Sequence, residues 1–308
     1  MSVEVQGRPK AFVLGHPIGH SKSPLLHRAA YSALDIEMTY EALDTTESQL
    51  AQVFVEHTPE RGTRGFSVTM PLKSAVVRHV DELTPFAQVL GVVNTVYWRQ
   101  DTEGKFSWYG DNTDVSGIVN ALRQAGFEGV PLSPAVIGGG GTASAALAAL
   151  RTMGARSVRV FVRNASRVRG LVKVASRLGM KVEILPLADF AHTYGNYDIT
   201  VCTLPAGAAD QLLSHAETKE AGFLLDVSYD PWPSALARNW EQAGGNVTSG
   251  LEMLMYQAVD QVKLFTAHPR SSALPRQEQV LAAMRQAVAL PDSSFVPITV
   301  NNLDYLAD

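Results

Sequence analysis

One cysteine, Cys202, stands in 308 residues. That excludes an internal disulfide, and no Cys/His spacing resembles a zinc site. No apolar run approaches the roughly 20 residues that cross a bilayer. The first residues, Met1-Ser2-Val3-Glu4-Val5-Gln6-Gly7, hold neither the basic nor the apolar region of a secretory leader. Basic residues are not in excess: 26 Lys and Arg face 30 Asp and Glu, a formal charge of −4. Nucleic acid and anionic membrane are therefore not expected partners, and a cytoplasmic location is expected. Repeats and low-complexity tracts are missing as well. Acids are absent from one informative place, with no Asp or Glu between Ser144 and Val182.

What is present is a chain long enough for two domains, with 46% hydrophobic and 18% charged residues, ordinary values for a globular protein. Residues 134–182 read as strand, glycine run, helix and second strand. Pro134-Ala135-Val136-Ile137 is a short apolar run followed by Gly138-Gly139-Gly140-Gly141 and the helix-forming Thr142–Leu150. Glycines there let a backbone approach a pyrophosphate, and a helix N-terminus supplies N–H donors and a positive dipole end. Gly138, Gly140, Gly141 and Thr142 are the candidate contacts, although Ala143 stands where the GxGxxG pattern has its third glycine. The second strand, Ser157–Val162, leads to Arg163, with Arg167 four residues on. An acid here would accept hydrogen bonds from a ribose 2′-OH. Arginine instead suits a 2′-phosphate, so the cofactor predicted is NADP.

Short strands alternate with helices before this segment: strands at 11–14, 38–43, 65–69, 92–98 and 105–109, helices at 24–34 and 49–57, a helix opening at Pro71, and another from about Asp114 to Ala125. After residue 134, six strands separated by helices (134–137, 157–162, 181–185, 198–202, 223–227, 245–248) predict a doubly wound parallel sheet. From Gly250 the chain turns helical through 251–267 and 275–290. The fold class expected is α/β, an N-terminal α/β substrate domain plus a doubly wound (Rossmann) parallel-sheet domain for NADP. The boundaries expected are 1–114 with 250–290, then 115–249, and a peripheral polar tail at 291–308.

Three polar clusters in the first 114 residues invite a chemical reading. Gly15–Pro24 follows a buried strand and sets hydroxyls near a helix N-terminus, a setting for an anionic group. Ser23 also has a structural use as the N-cap before Pro24, whereas Ser21 has none. His16 and His20 cannot share a helix face across Pro17 and Gly19, so no metal is expected. Gly65–Lys73 carries Thr69 at a strand end and puts Lys73 in the first turn of the helix expected at Pro71. An amine there, at the positive end of a helix dipole, would be tuned toward proton exchange. Asn94-Thr95 and Gly110-Asp111-Asn112-Thr113-Asp114 form the third, only part of which capping explains. Were Asp114 to meet Lys73, the two would make an acid/base pair.

Taken together, Pro17–Pro24, Val68–Lys73, Gly91–Thr95, Asn112–Asp114 and Gly250–Ala258 resemble the shikimate dehydrogenase family, over roughly Phe12 to Val288. The resemblance implies NADP-dependent, reversible reduction of 3-dehydroshikimate to shikimate, in a cleft that opens and closes. It implies Lys73 and Asp114 as the catalytic pair, and Ser21, Ser23, Thr69, Asn94 and Gln257 on substrate with Tyr229 nearby. Gly250 falls with the cofactor contacts, and the protein is expected as monomer or homodimer. Ser67 departs from the family's usual asparagine, and Val162–Arg167 from its Asn-Arg-Thr phosphate loop. The alternatives are an enzyme that also oxidises quinate and a non-catalytic NADPH-binding regulator.

Overall fold

The computed structural model describes residues 7–213 and 221–300. Its chain divides into two compact units, one running to Thr113 and resuming at Gln257, the other Asp114–Tyr256. The sequence reading sets those divisions at 114/115 and 249/250.

In the first unit, apolar β1 (Lys10–Gly15) is buried along almost its whole length, and α1 (Ser23–Ala33) follows with Pro24 in its opening turn. Next come β2 (Thr39–Asp44), α2 (Leu50–Glu56), β3 (Thr63–Val68), β4 (Glu82–Leu83), α3 (Pro85–Leu90), β5 (Thr95–Gln100) and β6 (Phe106–Asp111). The sheet runs β2-β1-β3-β5-β6-β4. Its β1 pairs in parallel with β2 and β3, while β5 is antiparallel to both β3 and β6. Phe12, Leu14, Phe66, Val68, Leu72, Val76 and Val96 fill its core. Each such side chain withdrawn from water contributes about 1.5–3 kcal/mol.

The second unit opens with α4 (Asp114–Gln124) and continues β7 (Ala135–Ile137), α5 (Gly141–Thr152), β8 (Ser157–Val162), α6 (Arg169–Arg177), β9 (Lys181–Pro186), α7 (Phe190–Thr193), β10 (Ile199–Cys202), β11 (Phe223–Asp226), α8 (Ala235–Gln242) and β12 (Asn246–Ser249). All six strands are parallel, in the order β12-β11-β10-β7-β8-β9. Counted within the unit this is the doubly wound order 3-2-1-4-5-6. Strands covered on both faces read as continuous apolar runs, as Ala135–Ile137 and Ile199–Cys202 do. Helix α9 (Gly250–Phe265) carries the chain back into the first unit, where α10 (Gln277–Ala287) packs on α1.

Three local expectations are corrected. Residues 70–74 form a turn, followed by a 3-10 helix at Ala75–His79, so Lys73 precedes that helix instead of opening an α-helix. The aligned peptide dipoles expected to act on its amine are not there. Ser23 is the first residue of α1 and does not cap it. Ser21 Oγ accepts the Ser23 N–H at 3.3 Å, giving Ser21 the structural use assigned to Ser23. The described part of the tail is not merely peripheral: Val300 is buried, and its carbonyl accepts from Arg270 Nη2 at 3.3 Å. The helix α3 and the short β4 were not anticipated.

Candidate active site

Polar side chains from six segments of the first unit meet in one buried hydrogen-bonded network. Asn94, in the turn before β5, is its hub. Its Oδ1 accepts from Thr113 N at 2.7 Å and from Thr95 Oγ1 at 2.8 Å. Its Nδ2 donates to Thr113 Oγ1 at 3.1 Å and to Gln257 Oε1 at 3.2 Å. Gln261, one turn along α9, donates from Nε2 to Thr95 Oγ1 at 2.9 Å. Its Oε1 accepts from Ser67 Oγ at 2.8 Å, and Ser67 in turn accepts from Tyr40 OH at 2.6 Å. Polar groups this deep are stable only when paired, and here each partner fixes the next.

His27 closes the network. Its ring stacks on Tyr40 with centroids 3.8 Å apart and approaches Gln261 Oε1 at 3.2 Å through Nε2 and Tyr31 OH at 3.1 Å through Nδ1. Burial lowers its pKa to about 3, against the opposing hydrogen bond to Gln261. The imidazole is therefore neutral near pH 7. With Oε1 accepting from Nε2–H, Nδ1 is left to accept from the tyrosine hydroxyl. It holds the network's shape and has no proton to exchange near neutrality. Burial likewise pushes the Tyr40 hydroxyl above its usual range, although Ser67 and Ser23 hydrogen-bond to it.

The loop bearing Ser21 and the turn bearing Lys73 flank this network because parallel β1 and β3 end side by side. His16 N donates to Met70 O at 3.2 Å and Thr69 N to Leu14 O at 2.9 Å. Lys73 is half-buried, and its carbonyl accepts from Val93 N at 2.8 Å, one residue before the Asn94 hub. The first unit thus ties the loop after β1, the turn bearing Lys73, and Asn94 together through main-chain bonds, and Asn94 to Gln257 through side chains. The oriented amides and hydroxyls of the network are a set suited to a small polyhydroxylated molecule. Among the described residues no cluster of His, Cys, Asp or Glu could hold a metal ion. Asp114, 4% exposed at the start of α4, and half-buried Tyr229, after β11, belong to the second unit.

Tyr40, His27 and Gln261 escaped the sequence reading. Gln261 had a findable signal, since it lies one helical turn beyond Gln257 and so on the same face.

The second unit carries a separate cavity of about 530 Å³, lined by Gly138, Gly139, Phe161, Val162, Arg163, Asn164, Val168, Leu187 and Leu204. Gly138 has φ +113°, and a Cβ there would come within 2.4 Å of Thr203 Oγ1. Gly140 caps α5 with extended backbone, and a Cβ on it would meet nothing within 4 Å. No packing among the described residues therefore calls for glycine at 140, whereas a ligand pressed against that backbone would. Gly141 and Thr142 open α5, where free N–H groups point outward. Arg163 lines the cavity and is exposed; Asn164 Oδ1 accepts from Ser166 N at 2.9 Å and orders the loop after β8. These residues fit a phosphorylated dinucleotide. The side chain of Arg167 lies outside the described residues. Gly250 is needed for close approach, because a Cβ there would lie 1.9 Å from Val227 O. Cys202 is buried at the end of β10, and burial first, then Asp226, pushes its thiol pKa up, so it is a packing residue.

Fold and site define a class of α/β protein in which a unit with a buried polar side-chain network is joined to a doubly wound nucleotide-type unit. A family model described as the shikimate dehydrogenase substrate binding domain matches residues 13–96. The chain is 36% identical to the shikimate dehydrogenase (NADP(+)) of Rubrobacter xylanophilus over 258 residues, 82% of this chain and 89% of that protein. Among solved structures, the Mycobacterium tuberculosis shikimate dehydrogenase superposes with a TM-score of 0.76 at 36% identity, over 90% of this chain and 99% of that one. The Thermus thermophilus shikimate 5-dehydrogenase, solved with NADP(H) and shikimate, gives 0.71 at 31% identity, over 91% and 99%. The chain belongs to the shikimate dehydrogenase family.

Proposed function

We propose that this protein is an NADP-dependent shikimate dehydrogenase that reversibly reduces 3-dehydroshikimate to shikimate. The observation that carries this reading is the 36% identity spanning 89% of the Rubrobacter xylanophilus enzyme, named for that reaction. The polar network around Asn94 supplies the physical support.

Ser21, Ser23 and Thr69 offer hydroxyls for the ring carboxylate, and Asn94 and Gln257 turn to the ring hydroxyls by exchanging bonds that they make to each other and to Thr113 without substrate. Such groups are neutral, so they orient substrate without fixing a charge beside the reacting carbon. Lys73 donates a proton to the oxygen that gains charge as the carbonyl is reduced, and takes it back in the reverse direction. Asp114 is the carboxylate of the pair, holding a substrate hydroxyl and the amine in register. Gly138, Gly140, Gly141 and Thr142 would hold the pyrophosphate of NADP, and Arg163 with Arg167 its 2′-phosphate. The cofactor would supply or accept the hydride. Tyr229 and Gly250 are assigned to the substrate and cofactor sides by the same reading.

The test is steady-state turnover of the purified protein with shikimate and then quinate, each with NADP and with NAD. The expected result is turnover of shikimate with NADP well above the other three combinations. Comparable turnover of quinate would replace the reading by an enzyme of broader specificity. Cofactor binding without turnover would replace it by a regulator. Lys73→Ala and Asp114→Asn should each lower kcat by at least about 10²–10³-fold, the range of a lost general acid or oxyanion donor, with NADP affinity unchanged. Near-normal kcat in Lys73→Ala would remove the amine from the mechanism.

A further inference from the structure

Behind the neutral network of the first unit lies a charged layer centred on Arg270, in the loop between α9 and α10. Its Nη1 donates to Asp111 Oδ2 at 2.7 Å, and its Nη2 to Asp260 Oδ2 at 2.8 Å. Both carboxylates are almost fully buried and the arginine is 13% exposed. Burial alone would lower the arginine's pKa, and the carboxylates of Asp111 and Asp260 more than reverse that. Its Nε finds no hydrogen-bond partner among the described residues, so the guanidinium is aimed at the two acids at the expense of a donor. Lys263 Nζ lies 3.7 Å from Asp260 Oδ1 and donates to Arg270 O at 3.1 Å, completing the layer.

Each acid belongs to a segment that supplies side chains to the polar network. Asp111 Oδ1 accepts from Asn112 N and from Thr84 Oγ1, both at 2.7 Å, and its carbonyl accepts from Asn94 N at 3.1 Å. It thereby sets the direction of the chain into Asn112 and Thr113. Asp260 sits on α9 between Gln257 and Gln261, both of which project into the network. A fork that holds one carboxylate from each segment fixes the register of the Asp111 run against α9. A point charge could neutralise both acids but could not fix that geometry.

We propose that Arg270 is a positioning residue for substrate: by bridging Asp111 and Asp260 it places Thr113 and Gln257 around Asn94, and the tail, through Val300, holds Arg270 in turn. This rests on reading the Asn94 network as the substrate pocket.

The test compares Arg270→Lys, which keeps the charge and loses the fork, with Arg270→Ala, in turnover and in hydrogen exchange. Arg270→Lys should fold, raise KM for shikimate roughly tenfold as substrate-orienting contacts lose register, and leave KM for NADP within about twofold. Millimolar guanidinium should restore part of the shikimate KM in Arg270→Ala. Amide exchange in Arg270→Lys should quicken at residues 111–113 and 257–261 and stay unchanged at residues 135–150. An unchanged shikimate KM with unchanged exchange would overturn the proposal. So would a parallel rise in both KM values with faster exchange everywhere, the mark of general destabilisation. Should the wild-type protein fail to turn over shikimate, the functional reading falls by itself. The exchange comparison then decides the role of Arg270 alone.

Discussion

The two units prepare for their ligands by opposite means. In the first, the surfaces on offer are side chains, and nearly every polar atom around Asn94 is already bonded to another, from Tyr40 through Ser67, Gln261 and Thr95 to Thr113 and Gln257. In the second, the surface on offer is main chain. Gly138 turns with φ +113°, Gly140 leaves open space, and the helix end of α5 supplies donors. A side-chain pocket gains selectivity because each group has one orientation. It is also vulnerable to any change that leaves a buried partner unpaired. A backbone loop tolerates varied neighbours but fails once a Cβ intrudes.

This contrast can be broken at Gly138. Gly138→Ala puts a methyl group against Thr203 and forces an L residue to a strained φ. Cofactor affinity should fall at least tenfold, and thermal stability by about 1–3 kcal/mol, in calorimetry and cofactor titration. An unaltered affinity would mean that the loop's backbone geometry is not what binds. Arg163→Ala sharpens the contrast, because it tests the one charged side chain described at the rim of the second cavity. NADP affinity should drop about tenfold or more, from the loss of a charge-assisted contact, while NAD affinity holds. Equal losses for both cofactors would refute the phosphate role.

The smallest effect concerns pH. His27 is held neutral with its pKa lowered to about 3, against about 6.5 unfolded. Between those values the unfolded chain binds a proton that the folded chain refuses, so stability rises with pH across that window. The contribution is complete above about 6.5 and lost as pH falls toward about 3. His27→Gln should flatten the acid limb of the stability curve by about 1 kcal/mol or more between pH 6 and 4. If that limb is unchanged in chemical denaturation, His27 is not the group that titrates.

How much of this was legible depended on whether a residue's partner lies near it in sequence. Most of the six strands of the second unit stand out as short Val-, Ile- or Leu-rich runs, and each forms within a residue or so of its expected place. The placement of Gly138–Thr142 between β7 and α5, and of Arg163 after β8, is readable for the same reason, strand, loop and helix being consecutive. The turn at 70–74 reads as helix in the sequence because Pro71 is a good helix opener in isolation, while the backbone there is instead tied to neighbouring strand ends, His16 N to Met70 O and Val93 N to Lys73 O. Gln261 is legible only through its spacing from Gln257. Tyr40 and His27 are invisible because the partners that tie them into the network, Ser67 and Gln261, come from distant segments. Their spacing carries no period, and a lone histidine on an apolar helix face reads as core. Ser67 departs from the family's usual asparagine, and its partners, Tyr40 and Gln261, show what its hydroxyl does there.

The return of α9 to the first unit has a consequence for how the chain is made. Gln257 and Gln261 are synthesised only after the whole of Asp114–Tyr256 has been translated. At roughly 5–20 residues per second, the nascent N-terminal segment waits on the order of ten seconds for the amides that complete its interior. During that interval the later-synthesised unit, contiguous in the chain, can close first. The ribosome thus finishes the inserted unit before the one that contains its own beginning.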